Sequence, residues 1–406
     1  MEDLRGIDYL RTKLARKRAR VLLRYQYYEM KQLVRDFDIS TPPDLRWWMS
    51  TLGWCAKAVD ALADRLVFHE FGADNLDMMS IYANNNADVL FDSSVLSALI
   101  ASCAFLYISQ RDDGYPQLQA IDGGNATGII DPITMMLREG YAVLERNTEG
   151  VPTLEAYFTP GETVWYERGG REPVRTEPNV APWPLLVPVI NRPDAVRPFG
   201  HSRISRACMD LVGSALRTVK RSEVSAEFYS YPQKYVTGLS QDAEEMDKWR
   251  ASMSSMLTFT KDDEGDSPSV GQFSQQAMTP HIEQLRMFAS LFAGETGLTL
   301  DDLGIVSGNP SSADAIKASH ESLRLTARKA QRTFGVGFLN AGYLAACLRD
   351  DYPYDREVVH RTRVKWEPIF ETSVSQLSGM GDAVMKIRQS FPDYFTEEKL
   401  RDLTGI

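Results

Sequence analysis

The chain is poor in the residues and patterns that catalysis uses. Its 406 residues include four cysteines, Cys55, Cys103, Cys208 and Cys347, none in a CxxC pair. That spacing suggests neither a zinc ribbon nor a disulfide framework, and small buried thiols in a reducing compartment are the expectation. Five histidines, His69, His201, His281, His320 and His360, are scattered with no HExxH, so no metal centre is expected. His69-Glu70 is a lone dipeptide with a surface or packing role. The GxxxxGK[ST] phosphate loop is missing, which excludes nucleotide hydrolysis by that route. Gly335-Val-Gly337 starts a GxGxxG pattern, but Asn340 stands where the third glycine belongs. Gly200-His-Ser-Arg-Ile204 is no nucleophile elbow, because Ile204 replaces its second glycine. Asp301-Asp302 has no local partner for acid–base work. The sequence predicts no enzyme and no cofactor. No apolar run nears the ~18 residues of a membrane span, and no secretory h-region opens the chain, so assembly in a cytoplasm is expected.

Net charge is -10, which argues against gripping nucleic acid by phosphate neutralisation. With 43% hydrophobic and 25% charged residues, the composition is that of a globular protein large enough for two or three domains. The first 35 or so residues read as a helix bearing Arg11, Lys13, Arg16, Lys17, Arg18, Arg20 and Arg24. A solvated face or a subunit contact is preferred there to a nucleic-acid arm.

After Pro42-Pro43, Trp47 to Leu66 and Asp77 to Ala101 carry helical spacing, and Ala104 to Ser109 fits a strand. From Tyr115 to Glu167, short β-prone pieces alternate with turn residues at Asp122-Gly-Gly124, Asn147 to Gly150 and Gly169-Gly170, the pattern of an antiparallel meander. Pro182, Pro184, Pro188, Pro193 and Pro198 mark an extended passage. From Gly200 onward Ile204, Cys208, Leu211, Ala215, Val219, Ser222, Ala226 and Tyr229 recur at helical steps until Pro232. Strands at Tyr235 to Thr237 and Leu257 to Thr260 flank a short helix with Met246, Trp249 and Met253. Lys261-Asp-Asp-Glu-Gly-Asp266 is an acidic turn without the ligand spacing of a calcium loop.

Thr279-Pro280 then opens a helix with a stripe of Ile282, Leu285, Ala289 and Phe292, stopped at Gly294 or Gly297. The chain thus goes out along one helix, builds a small α/β tip, and returns along another. A loop follows with Gly304, Gly308, Asn309 and Pro310. It leads into a third long helix from Ser311 or Ser312 to about Asp350, where Ser311 and Asp314 approximate a capping box. Ile316, Leu323, Ala327, Ala330 and Phe334 hold one face of it, and Lys317, Arg324, Arg328 and Arg332 another. Gly335 and Gly337 permit a kink. Val364-Lys-Trp-Glu367 reads as an isolated strand, and Ser373 to Ile406 as a terminal helical segment.

Seven segments resemble, in order, the portal proteins of long-tailed bacteriophages. They are Tyr27-Tyr28, Val59-Asp-Ala-Leu-Ala-Asp-Arg65, Asn191-Arg192, Phe199-Gly-His-Ser-Arg-Ile204, Tyr231-Pro-Gln-Lys234, Pro310-Ser-Ser-Ala-Asp-Ala-Ile316 and Gln331-Arg332. Each is weak alone, and the ordered set over residues 25 to 370 is fairly specific. The resemblance implies an α+β, portal-type fold: a wing at 1–202, stem helices at 203–231 and 278–297, and a clip at 232–277. A tunnel loop at 298–311, a kinked long helix with a wing return strand at 312–372 and a helical crown at 373–406 complete it. It implies a ring, commonly of twelve, at one capsid vertex, through which double-stranded DNA passes during packaging and ejection. Implied partners are the large terminase subunit, major capsid and scaffolding proteins, and a head–tail adaptor, with no membrane. The tunnel-loop residues Asp301, Asp302, Ser307, Gly308, Asn309 and Ser311 are then candidates for the DNA channel. Lys261, Asp262, Asp263, Glu264 and Asp266 are candidates for partner docking. A head–tail adaptor-like ring protein and a phage hydrolase are the alternatives.

Overall fold

The computed structural model describes residues 4–34, 47–230, 234–237, 269–272, 277–305, 318–370 and 374–390. Helix α1 (Ile7–Tyr28) buries Leu10, Leu14 and Val21, a stripe one side wide at steps of four and seven. Two of the basic residues beside that stripe turn inward. Arg11 pairs with Glu155 at 2.8 Å, and the Lys13 Nζ donates to the Gly128 carbonyl at 2.6 Å. This part of the helix surface packs on a sheet of the same chain, where the sequence favours a solvated face or a subunit contact.

Helix α2 (Trp54–Ala63) leads to strand β1 (Phe68–Gly72), and helices α3 (Met78–Ala83) and α4 (Ala87–Ala101) follow. Strand β2 (Cys103–Gln110) is the centre of a three-stranded antiparallel sheet, ordered β3 (Pro116–Asp122), β2, β9 (Leu186–Ile190). Six consecutive residues of β2 are buried, as a strand covered on both faces requires. The meander expected from the turn residues is a five-stranded sheet in chain order: β4 (Ala126–Ile130), β5 (Leu137–Arg146), β6 (Pro152–Thr159), β7 (Glu162–Glu167) and β8 (Arg175–Pro178).

The proline-rich passage is extended, as expected, and it also supplies β9. Pro188 pairs opposite Phe105 on an edge strand, where its missing N–H costs the ladder nothing. Helix α5 (Arg206–Ser230) and helix α6 (Thr279–Thr296) follow, with strands β10 (Lys234–Thr237) and β11 (Ser269–Gln272) paired antiparallel between them. On α5 the buried set includes Cys208, Val212, Ala215 and Leu216, rotated slightly from the stripe read through Leu211 and Val219. On α6, Ala289 and Phe292 are buried, whereas Ile282 is 59% exposed.

Helix α7 runs Glu321–Arg349. The single helix expected from Ser311 is interrupted by a turn at His320, and residues 311–317 lie outside the described ones. Leu323, Ala327, Ala330 and Phe334 are buried as their spacing predicts, and from there almost every residue to Leu348 is inside. Its glycines serve close packing. A Cβ on Gly337 would stand 2.9 Å from the Pro188 carbonyl, and one on Gly342 would stand 2.9 Å from the Met78 sulfur. Strand β12 (Arg363–Trp366), which the sequence reads as isolated, pairs antiparallel with β1 from Phe68↔Trp366 to Gly72↔Arg363. Helix α8 (Val374–Ser390) closes the described chain.

One aromatic cluster locks these pieces together. Phe68 stacks on Phe91 at 3.9 Å, Tyr82 stacks on Phe91 at 4.8 Å, and Phe338 meets Phe91 edge-on at 4.6 Å. Such pairs add about 0.5–1.5 kcal/mol each beyond their burial. The Tyr82 hydroxyl donates to the Phe338 carbonyl at 2.7 Å, so the buried oxygen has a partner and its own ionisation is pushed far up by burial. All four cysteines are buried and free, the state their spacing predicts.

The glycine contacts give a paired expectation. Gly337→Ala should lower stability by about 1–3 kcal/mol through overpacking. Gly213→Ala, whose added Cβ meets nothing nearer than 3.7 Å, should raise it by about 0.5–1 kcal/mol by removing a helical glycine. Urea unfolding midpoints of the two variants report both signs.

Candidate functional site

The out-and-back helix pair is antiparallel, and three polar contacts set its register. The Ser225 hydroxyl lies 3.3 Å from His281, Thr218 donates to Gln284 at 3.2 Å, and Ser205 donates to Glu295 at 2.8 Å. As residue numbers rise on α5 they fall on α6. At 1.5 Å per residue, the 25 residues of α5 reach roughly 37 Å.

The base of this pair is the Phe199-to-Ile204 segment, and each residue there has a structural task. Gly200 has φ +70°, and a Cβ on it would collide with the Asn191 carbonyl oxygen. Asn191 and His201 exchange two hydrogen bonds, 2.9 Å from the His201 N–H and 2.7 Å from the Asn191 amide. His201 Nε2 lies 2.6 Å from Asp194 Oδ2, which holds the Asp194 carboxyl below its ordinary range. The Ser205 hydroxyl accepts from the Cys208 N–H at 3.1 Å and caps α5.

Ser202 and Arg203 close the end of α4. A helix leaves its last four carbonyls without internal partners, and here all four are satisfied. Ala98 accepts from the Ser102 N–H at 2.9 Å and Leu99 from the Arg203 N–H at 2.8 Å. Ile100 accepts from the Ser202 hydroxyl at 2.6 Å, and Ala101 from Arg24 at 3.3 Å. The Arg203 side chain is only 7% exposed. Its Nε donates to the Ala58 carbonyl of α2 at 3.1 Å, and its Nη2 to Thr296, the last residue of α6. Burial lowers its pKa to about 10, so it stays charged at neutral pH. A cation at a helix C-terminus also meets the negative end of the dipole.

Beyond α6 the chain turns at Gly297, φ +69°, and a 3₁₀ turn covers Asp301–Leu303. Asp302 accepts from the Thr299 N–H and hydroxyl, both at 2.9 Å, and the Thr299 hydroxyl accepts from the Asp302 N–H at 3.2 Å. Asp302 Oδ2 also lies 3.6 Å from His320 Nδ1 across the loop. A Cβ on Gly297 would stand 2.7 Å from the Ser322 hydroxyl. The two ends of the segment from residue 303 to residue 319 are therefore held together at a neck.

Of the residues singled out from the sequence, Asp301 is exposed and Asp302 is half-buried in that neck. Asp302 thus caps and positions the turn. Ser307, Gly308, Asn309 and Ser311 lie outside the described residues, as do Lys261, Asp262, Asp263, Glu264 and Asp266. Sequence reading missed Arg203. The available signal was an arginine flanked by Ser202 and Ile204, at the start of an amphipathic run.

Arg203→Met should lower stability by about 1–3 kcal/mol, since it strips a charged donor from buried carbonyls, with Arg203→Lys intermediate. Thermal unfolding of the three proteins gives the order. A methionine variant at least as stable as the parent would mean that the desolvation cost of the charge exceeds its bonds.

Residues 7–376 match the family model described as "Phage portal protein, SPP1 Gp6-like". The portal protein of Mycobacterium phage D29 is 23% identical across 93% of this chain and 81% of its own. That of Mycobacterium phage L5 is 24% identical across 79% of this chain and 69% of its own. Among solved structures, a chain from the virion of a native gene transfer agent particle superposes with a TM-score of 0.47 at 14% identity, covering 95% of this chain and 99% of that one. A chain from the neck of the native particle, computed with C12 symmetry, gives 0.46 at 15% identity, covering 95% and 99%. With a family model spanning both larger sheets, the helix pair and α7, the chain belongs to the SPP1 Gp6-like family of phage portal proteins.

Proposed function

We propose that this portal protein works as a ring, of about twelve copies by the family resemblance, at one vertex of a phage capsid. In this reading double-stranded DNA enters through the ring during packaging and leaves during ejection. The observation that carries the reading is the antiparallel α5–α6 pair, followed by a segment whose two flanks meet at Asp302 and His320, inside a chain that matches the portal family model. A stem of this kind places one loop per subunit at a fixed height, which a channel lining requires.

The isolated subunit also presents apolar residues on α6 and α7. Met287 and Leu291 on α6 are 49% and 53% exposed, and Leu325 on α7 is 46% exposed. Neighbouring stems in a ring would cover such groups. At -10 per copy, the ring has little net tendency to hold phosphate, and a conduit benefits from few contacts that must be broken as DNA moves. Asp301, with Ser307, Gly308, Asn309 and Ser311, would meet the passing duplex with neutral or repelling groups. The clip between α5 and α6, including Lys261, Asp262, Asp263, Glu264 and Asp266, would dock the large terminase subunit and later the head–tail adaptor. The wing would meet capsid and scaffolding proteins. In this reading the subunit has a mechanical role and no catalytic one, and it resides in the virion after assembly in the host cytoplasm.

Negative-stain images of the purified protein should show rings with a central hole ~20–40 Å wide, since a duplex with a wide major groove must pass. A compact monomer would remove the proposal. Shortening the segment between Ile305 and Ala318 should cut packaged or retained DNA severalfold while rings still form. Normal packaging by that variant would mean that the loop does not serve the channel.

A further inference from the structure

The inner flank of α1 lines a cleft of about 610 Å³ whose walls include Lys13, Arg16, Lys17, Arg20, Arg24 and Arg197, with no carboxylate among the lining residues. Tyr9, Val21, Pro198 and Phe199 form its apolar part. Five of the six cations come from one helix at steps of three and four, so their side chains leave the same flank with Cβ atoms about 5–6 Å apart.

Among the described residues none of the six forms an ion pair with a carboxylate, and the acid acting on Lys13 is Glu139, outside the lining. Lys13 donates to the Gly128 carbonyl at 2.6 Å and Lys17 to the Ala126 carbonyl at 3.2 Å. Arg24 donates to the Ala101 carbonyl at 3.3 Å, and Arg197 lies 3.4 Å from His201. Lys13 and Lys17 also face the Phe199 ring at 4.8 and 5.6 Å. Burial first and the neighbouring cation second lower the pKa of Lys13 beside Lys17 and of Arg24 beside Arg20. Elsewhere on the same helix Arg11 does find a carboxylate, Glu155. The cleft is thus a local excess of positive charge on a chain of net charge -10.

Two chemistries could neutralise it: phosphates of a nucleic acid, or carboxylates of a protein. The shape and the whole-chain charge favour the second. A recess of about 610 Å³ is of the size that takes a few side chains, and its walls are apolar between the charges. A rigid duplex could touch only its rim. Copies of a chain at -10 repel one another, and association between like-charged subunits needs local complementarity to offset that repulsion. We infer that this cleft receives an acidic segment of a second copy of the chain, so that Lys13, Arg16, Lys17, Arg20, Arg24 and Arg197 form the basic half of a subunit interface. The inference rests on the ring reading above and adds to it which surface makes the contact.

The test is the double variant Arg16→Glu/Arg20→Glu, chosen because both residues are exposed and neither side chain hydrogen-bonds among the described residues. Mass photometry of parent and variant at 0.1 and 0.5 M salt reads the assembly state, and circular dichroism checks the fold. Duplex and single-stranded oligonucleotides are titrated against both. The expected result is a folded variant whose assembled fraction falls at least tenfold at 0.1 M salt. Parent assemblies should also loosen as salt screens the contact. A folded variant that assembles like the parent overturns the inference, while the ring reading survives. Loss of oligonucleotide binding with unchanged assembly would assign the cleft to nucleic acid and overturn it as well. A parent that stays monomeric would strike the ring reading itself. Should the double variant misfold, Arg16→Gln/Arg20→Gln gives the same comparison with a smaller expected drop, of about threefold.

Discussion

The guanidinium of Arg203 lies almost wholly out of water, and its hydrogen bonds go to the carbonyls of Ala58 and Thr296. Few arrangements of a charge are so demanding. A buried cation without bonds would cost several kcal/mol, so the positions of α2 and α6 are tied to that of the chain entering α5. Next to it, the Arg203 N–H, Ser202 and Arg24 satisfy the open end of α4. One short segment therefore fixes where the paired helices leave the body. The contacts at Thr218, Ser225 and Ser205 then set how α5 and α6 run side by side.

This arrangement divides the molecule by burial. The body is dense: β2 is covered on both faces, α7 is buried around most of its circumference, and six aromatic side chains close the gap between β1, α3, α4, α7 and β12. The helix pair leaves that body and is held mainly at its base. The neck formed by Asp302, His320, Gly297 and Ser322 brings the chain back from the helix pair into the body at one place.

Much of the fold was legible in the residues. The turns at Asp122-Gly-Gly124 and Asn147 to Gly150 announce the meander, because hairpin turns need those residue types. Thr279-Pro280 and Gly297 bound α6 because proline fits a first turn and glycine fits the left-handed exit. Strand β9 was harder to see, since Pro188 removes a ladder donor and reads as a break. Only its edge position makes it tolerable. Gly335 and Gly337 suggested bending, and the structure uses them for close contact with Val364 and Pro188. A sequence gives the absence of a side chain but not what lies opposite. The same limit applies to Asp302, whose partner His320 is eighteen positions away.

The sequence by itself determined the out-and-back order of helices, the meander that precedes them, the buried thiols and the acidic balance. These depend on periodicity, turn chemistry and composition, which are local or additive. Only the packing of distant segments made Arg203 an internal tie, brought β1 and β12 together across nearly 300 positions, and set five cations of α1 with Arg197 around a cleft that has no carboxylate among its lining residues. Those facts depend on which distant groups face each other and on how much water remains between them. Burial and pairing decide the energy of a charge, and neither is written in the neighbours along the chain.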